Sequence, residues 1–161
     1  MGFVSLNNLK KSGKYKSLHG VYSPRNKEKY KSNALPHYKS KLELKTMVYL
    51  DNNQNVINWS YEPFAIEYWD KSPLLLDRGA QPIKRKYYID FVATIKTQNG
   101  TQKVWIEVKS KNDVNVTMAP TKILESQAYI KNMSKWTAAK KMAKEKGYNF
   151  VIITDKDLKN L

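Results

Sequence analysis

The chain has 161 residues, no cysteine and only two histidines, with 41% hydrophobic and 27% charged residues. That length supports one domain around one core. The lack of cysteine excludes a disulfide framework or a Cys-based zinc site, and His19 and His37 are too few for a His-rich metal centre. Lysine and arginine number 29 against 14 acids, giving a net charge of +15, spread as +9 over residues 1–50, zero over 51–100 and +6 over 101–161. A neutral centre between basic ends predicts a central site with phosphate-binding surroundings, favouring a nucleic-acid partner over an acidic protein partner or a merely soluble basic surface. No apolar run reaches the roughly 18–20 residues of a membrane span, so a cytoplasmic setting is expected.

Residues 1–37 read as a basic arm. Lys10, Lys11, Lys14 and Lys16 are candidate phosphate contacts, and Tyr15, Tyr22, Tyr30 and Tyr38 can stack on bases or pack the arm onto the body. Residues 38–161 form the expected domain. Ser40 followed by Glu43 is a capping-box pattern, and Leu44, Met47, Val48 and Leu50 make an apolar stripe, predicting a helix over 40–52. Residues 56–68 read as two short strands broken at Pro63, and 70–83 as a loop. Strands are predicted over 86–95 and 102–110, joined by a hairpin turn at Asn99-Gly100. Helices near 121–132 and 135–146 follow, the second capped by Gly147. Residues 149–154 read as a buried strand, with a last short element at Asp155–Leu158. The order predicts an α/β (α+β) fold, a mixed sheet of four to five strands flanked by helices.

Strand alternation locates the chemistry. Over 86–95 it sets Tyr87, Ile89, Phe91, Ala93 and Ile95 on one face and Tyr88, Asp90, Val92 and Thr94 on the other; over 102–110 it groups Trp105, Glu107 and Lys109. Convergence of the two polar faces unites Asp90, Glu107 and Lys109. Two carboxylates offer hard oxygens to Mg²⁺, with Mn²⁺ as substitute, and the Val108 carbonyl is a further candidate ligand. Such a centre suits phosphodiester hydrolysis, with the lysine orienting water or stabilising the charge that develops on phosphate. The plainer reading of Glu107 and Lys109 is a same-face pair on a solvated strand.

Together with Glu43 upstream, these residues resemble the PD-(D/E)XK nuclease superfamily: Glu43 on a helix, Asp90 in "YYIDF", and Glu107-Val108-Lys109 in "VWIEVKS". Within it, "YKSKLELKTMVYLDNNQNVINWSYEP", with Asp51, Val56, Trp59 and Glu62, and "KWTAAKKMAKEKGYNFVIITDKDL" look similar to head completion nucleases of tailed bacteriophages and to transposon-end nucleases. Ile89 stands where the superfamily name has Pro, and Leu42 where the phage relatives carry Trp. The resemblance implies a restriction-endonuclease-like core and a catalytic set of Glu43, Asp90, Glu107 and Lys109. It further implies Mg²⁺-dependent cleavage or trimming of DNA ends during head completion, with phage head or neck proteins as partners. The setting it implies is the infected host's cytoplasm or the virion. A junction-resolving nuclease and a non-catalytic DNA-binding or structural head component are the rival readings.

The remaining candidates keep two readings each. Glu43 either completes the helix cap or positions metal and water; Glu62 approaches the metal or pairs with a cation. Gln127 is a polar helix residue near the site or an ordinary surface one. Lys111, Lys122, Lys131 and Lys135 are phosphate contacts or a solvated face. Trp59, Trp105 and Trp136 are expected to pack inside, and Trp69 to be exposed.

Overall fold

The structure, a computed structural model, describes residues 18–118 and 122–159. In chain order the elements are β1 (Gly20–Val21), β2 (His37–Tyr38), α1 (Lys41–Asn52), β3 (Val56–Tyr61), β4 (Ala65–Asp70), β5 (Ile83–Tyr88), β6 (Phe91–Thr97), β7 (Gly100–Val108), α2 (Lys111–Met118), α3 (Ile123–Glu145) and β8 (Asn149–Ile153). Strands β3-β6-β7-β8 form a mixed sheet in that order, with β7 and β8 parallel. A parallel pair needs a crossover, here supplied by α2 and α3. No helix among the described residues is long and apolar enough to cross a membrane.

Two cores lie on opposite faces of this sheet. On one, Met47 and Leu50 of α1 meet Val56, Trp59, Phe91, Ala93, Val104 and Ile106. On the other, Ala139 and Ala143 of α3 meet Trp105, Ile89 and the inner face of a β4–β5 ribbon through Ile66, Tyr68 and Tyr87. The alternation of β7 explains the division: Val104 and Ile106 turn towards α1, Trp105 and Glu107 towards α3. Each fully buried large apolar side chain contributes about 1.5–3 kcal/mol.

The expected continuous strand over 86–95 is corrected. It breaks at Ile89 and Asp90, β5 pairing with β4 and β6 joining the main sheet. Tyr87 and Ile89 therefore lie in the α3-side core while Phe91 and Ala93 lie in the α1-side core; a break resets the alternation, so they do not share a face. The expected pair of helices after Pro120 is likewise one 23-residue helix, α3. No glycine or proline interrupts 123–145, so nothing local stops it. The β6–β7 turn is shifted by one residue, with Thr97 paired to Gly100 and Gly100 at φ +119°.

Lys10, Lys11, Lys14 and Lys16 lie outside the described residues. The rest of the basic segment packs onto the body across the expected boundary at 37. Asp51, fully buried at the end of α1, accepts from the Tyr22 hydroxyl at 2.7 Å, the Arg25 N–H at 2.7 Å and the Asn26 N–H at 3.2 Å. Lys29 and Lys31 bond the main chain of Trp59 along the edge of β3, and Tyr30 stacks 4.6 Å from the Trp59 ring. An exposed strand edge is thus covered, and for Tyr22 and Tyr30 packing is the reading observed.

Candidate active site

Asp90 sits at the junction of β5 and β6, where the main chain leaves the ribbon and enters the sheet. The pairing of Phe91 with Ile106 brings it alongside the end of β7, and its Oδ2 accepts from the Val108 N–H at 2.7 Å. Burial and the neighbouring Glu107 charge push its carboxyl up to about 8, with the Val108 N–H and Lys135 pulling the other way. The Lys109 N–H donates to Ile153 of β8 at 3.0 Å. Alternation therefore turns both the N–H and the carbonyl of Val108 towards Asp90.

Glu107, 2% exposed, is held by groups from two other elements. Its Oε1 accepts from the Lys135 ammonium of α3 at 2.8 Å, and its Oε2 from the Tyr87 hydroxyl of β5. The same ammonium stands 4.6 Å over the Tyr87 ring. Burial and the Glu107 charge push the Tyr87 hydroxyl far up, so it remains a donor.

A second acidic group adjoins this pair. Glu43 does complete a cap: its N–H donates to Ser40 Oγ at 3.1 Å, and its Oε2 accepts from the Lys39 N–H at 2.7 Å. That oxygen also accepts from the Tyr61 hydroxyl at 3.3 Å. Glu62 pairs with Lys39 at 2.6 Å and donates its N–H to the Asp90 carbonyl at 2.9 Å. It does so at φ 42°, a left-handed conformation uncommon for a residue with a Cβ and a strain typical of functional sites. Glu62, Glu43 and Asp90 together hold the Lys39 ammonium above its ordinary value, the hydrogen bond to Glu62 acting most strongly. Burial, then Glu43, Glu62 and Asp90, push up the Tyr61 hydroxyl. Among the described residues, however, no three acids are grouped closely enough to hold one ion as they stand.

The structure thus unites Asp90, Glu107 and the Val108 main chain, and sets Glu43 and Glu62 beside them. The half-buried Lys109 side chain has no hydrogen bond or ion pair among the described residues. Lys135, expected at the phosphates, neutralises Glu107 instead. The Lys111 ammonium is lowered chiefly by the adjacent Lys156, while its N–H bonds Asp155 at 2.8 Å. Lys122 and Lys131 are exposed, and Gln127 is half-buried on α3. Sequence reasoning missed Tyr87, Lys39 and Tyr61. The signal for Tyr87 was its place in "YYID", hidden by treating that stretch as one strand.

A family model described as "TnsA-like endonuclease N terminal" matches residues 53–155, a span holding Glu62, Asp90, Glu107, Lys109 and Lys135. The chain is also 28% identical over 152 residues to the head completion nuclease of Enterobacteria phage T4, covering 88% of this chain and 94% of that protein. With its four-stranded mixed sheet flanked by helices, consistent with a restriction-endonuclease-like fold, the chain belongs to the TnsA-like endonuclease N-terminal family.

Proposed function

We propose that the chain is a magnesium-dependent DNA endonuclease that trims DNA ends, acting on phage DNA during head completion. The observation that carries this reading is the Asp90–Glu107 pair. Asp90, at the β5–β6 junction, lies against Glu107 of β7, and burial together with the Glu107 charge pushes its carboxyl up to about 8. Like charges in that position favour a cation, and oxygen donors suit a hard divalent one. Mg²⁺ commonly takes only one or two carboxylates and leaves its other positions to water and substrate phosphate. Asp90, Glu107 and the Val108 carbonyl fit that role.

When bound, such an ion supplies Lewis acidity towards the scissile phosphate and a more acidic water. The remaining work falls to the chain. The Val108 N–H fixes the Asp90 carboxylate, and the Glu62 N–H fixes its main chain. Lys135 and Tyr87 orient Glu107. The Lys109 ammonium, one residue beyond Val108 and without a partner among the described residues, is available to meet negative charge developing on phosphate. Glu43, with Tyr61 and Lys39, can orient an attacking water. Lys111 and the neighbouring Lys156, whose charge lowers the Lys111 ammonium, suit a backbone phosphate flanking the cut.

The test is cleavage of linear, nicked and branched duplex DNA with Mg²⁺ by wild type, Asp90→Asn and Lys109→Met. Wild-type cleavage lost in both variants is expected. Wild-type-like cleavage by Asp90→Asn would overturn the site assignment, and strong preference for the branched substrate would favour junction resolution.

A further inference from the structure

A groove of about 370 Å³ lies between the end of β4 and α3, lined by Trp69, Lys71, Ile130, Met133, Thr137 and Lys141 among others. Its composition is uncommon for an idle surface. Trp69 is 58% exposed, while Trp59, Trp105 and Trp136 are at most 7% exposed. Met133 is 40% exposed, so aromatic and thioether surfaces face solvent beside two lysines, and no carboxylate lines the groove among the described residues.

Trp69 is not exposed for want of a fixed position. The next residue, Asp70, is fully buried, accepts from the Ser72 N–H at 2.9 Å and pairs with Arg85 at 2.6 Å. Those bonds anchor the strand end that presents Trp69 and Lys71. The Lys71 N–H reaches the Ser134 hydroxyl at 3.5 Å, tying the same strand end to α3. Ser134 adjoins Lys135, the residue bonded to Glu107. The β4–β5 ribbon runs back towards the site, its exposed face carrying Lys84, paired with Glu67 at 2.6 Å, then Lys86 and Tyr88, two residues before Asp90.

We infer that this groove receives an unpaired nucleotide of the DNA, its base stacked on Trp69 and its phosphates met by Lys71 and Lys141. Aromatic surface combined with flanking cations is the recognition chemistry of single-stranded nucleic acid; a duplex keeps its base faces covered. The nearby acid Glu67 is already paired with Lys84, which leaves Lys71 and Lys141 as the charges at the groove, and the phosphates of DNA complement them. The inference rests on the nuclease reading and adds a preference for DNA with an unpaired end or flap.

The experiment uses the full chain without divalent metal. Binding of blunt duplex, and of the same duplex with a short thymidine tail, is followed by anisotropy and by tryptophan emission. Trp69 being the exposed indole, the tailed duplex is expected to quench emission and the blunt duplex to bind with little quenching. Trp69→Ala should bind tailed DNA about tenfold more weakly, with Trp69→Phe close to wild type and Mg²⁺-dependent cleavage of blunt duplex unchanged in both. Equal quenching by the two duplexes, or a Trp69→Ala variant with undiminished tail preference, overturns the inference while leaving the nuclease reading intact. Concentration-dependent self-association lost in Trp69→Ala would overturn it in favour of a second copy of the chain. Absence of cleavage on every substrate, with tail-dependent quenching present, would instead overturn the nuclease reading and support the groove.

Discussion

Lys135 and Glu107, 28 residues apart in sequence, form a 2.8 Å ion pair between α3 and β7, with side chains 17% and 3% exposed. The pair leaves Glu107 neutralised before any metal arrives. It also distinguishes two cations: Lys135 is bound to Glu107, whereas the Lys109 ammonium has no partner among the described residues.

Lys135→Met is therefore expected to be strongly destabilising, because Glu107 would remain buried beside Asp90 with no cation. Breaking a buried pair in this way costs about 3–5 kcal/mol; partial exposure of Lys135 puts the expectation at the lower end. Millimolar Mg²⁺ should restore part of the loss by supplying positive charge. Thermal denaturation with and without metal checks both, and a melting temperature within a degree of wild type would show the pair to be dispensable.

Lys109→Met should behave in the opposite way. Its ammonium has no partner among the described residues, so stability should change by less than about 0.5 kcal/mol. Cleavage should fall by at least about a hundredfold, as when a group stabilising transition-state charge is lost. Denaturant melts and single-turnover rates on one preparation separate the two effects.

Asp90 predicts an inverse pH dependence of stability. Its carboxyl rises in the folded chain from the ordinary 3.8 to about 8, so the native state holds the proton that the unfolded state releases. In metal-free buffer its contribution is most favourable below about pH 4 and is lost progressively as pH rises to about 8. Asp90→Asn should thus be more stable than wild type near pH 8, by about 2 kcal/mol, with the gap closing towards pH 4. Melting temperatures of both proteins in chelator across that range test the sign; a gap independent of pH would refute it.

Asp51→Ala should release the N-terminal segment. It leaves the Tyr22 hydroxyl and the Arg25 and Asn26 N–H groups without their acceptor, at a cost of about 2–4 kcal/mol. Amide exchange over residues 18–38 should quicken by more than exchange in β6 and β7. Equal quickening throughout would mean that the segment and the sheet unfold as one unit.

Sequence by itself determined the features that depend on near neighbours. Ser40 and Glu43 cap α1 because each can reach main chain three or four residues away, and Gly147 ends α3 at φ +73° because glycine bears no Cβ. Alternation within β7 likewise set Glu107 beside Trp105 and opposite Val104 and Ile106, so a carboxylate in an apolar strand stands out in the sequence alone. The carboxylate pair with which the site is built was legible for that reason. Tertiary structure alone decided which groups meet those carboxylates. Reading 86–95 as one strand put Tyr87 on the wrong face, since a break in the strand leaves no trace in hydrophobic periodicity and is enforced by pairing with β4. The cation at Glu107 comes from Lys135 on α3, not from Lys109 two residues away: Glu107 is buried against α3, where Lys135 and Tyr87 occupy its two oxygens. Helix packing across the sheet, which depends on residues dozens of positions apart, supplied the partner that local spacing could not.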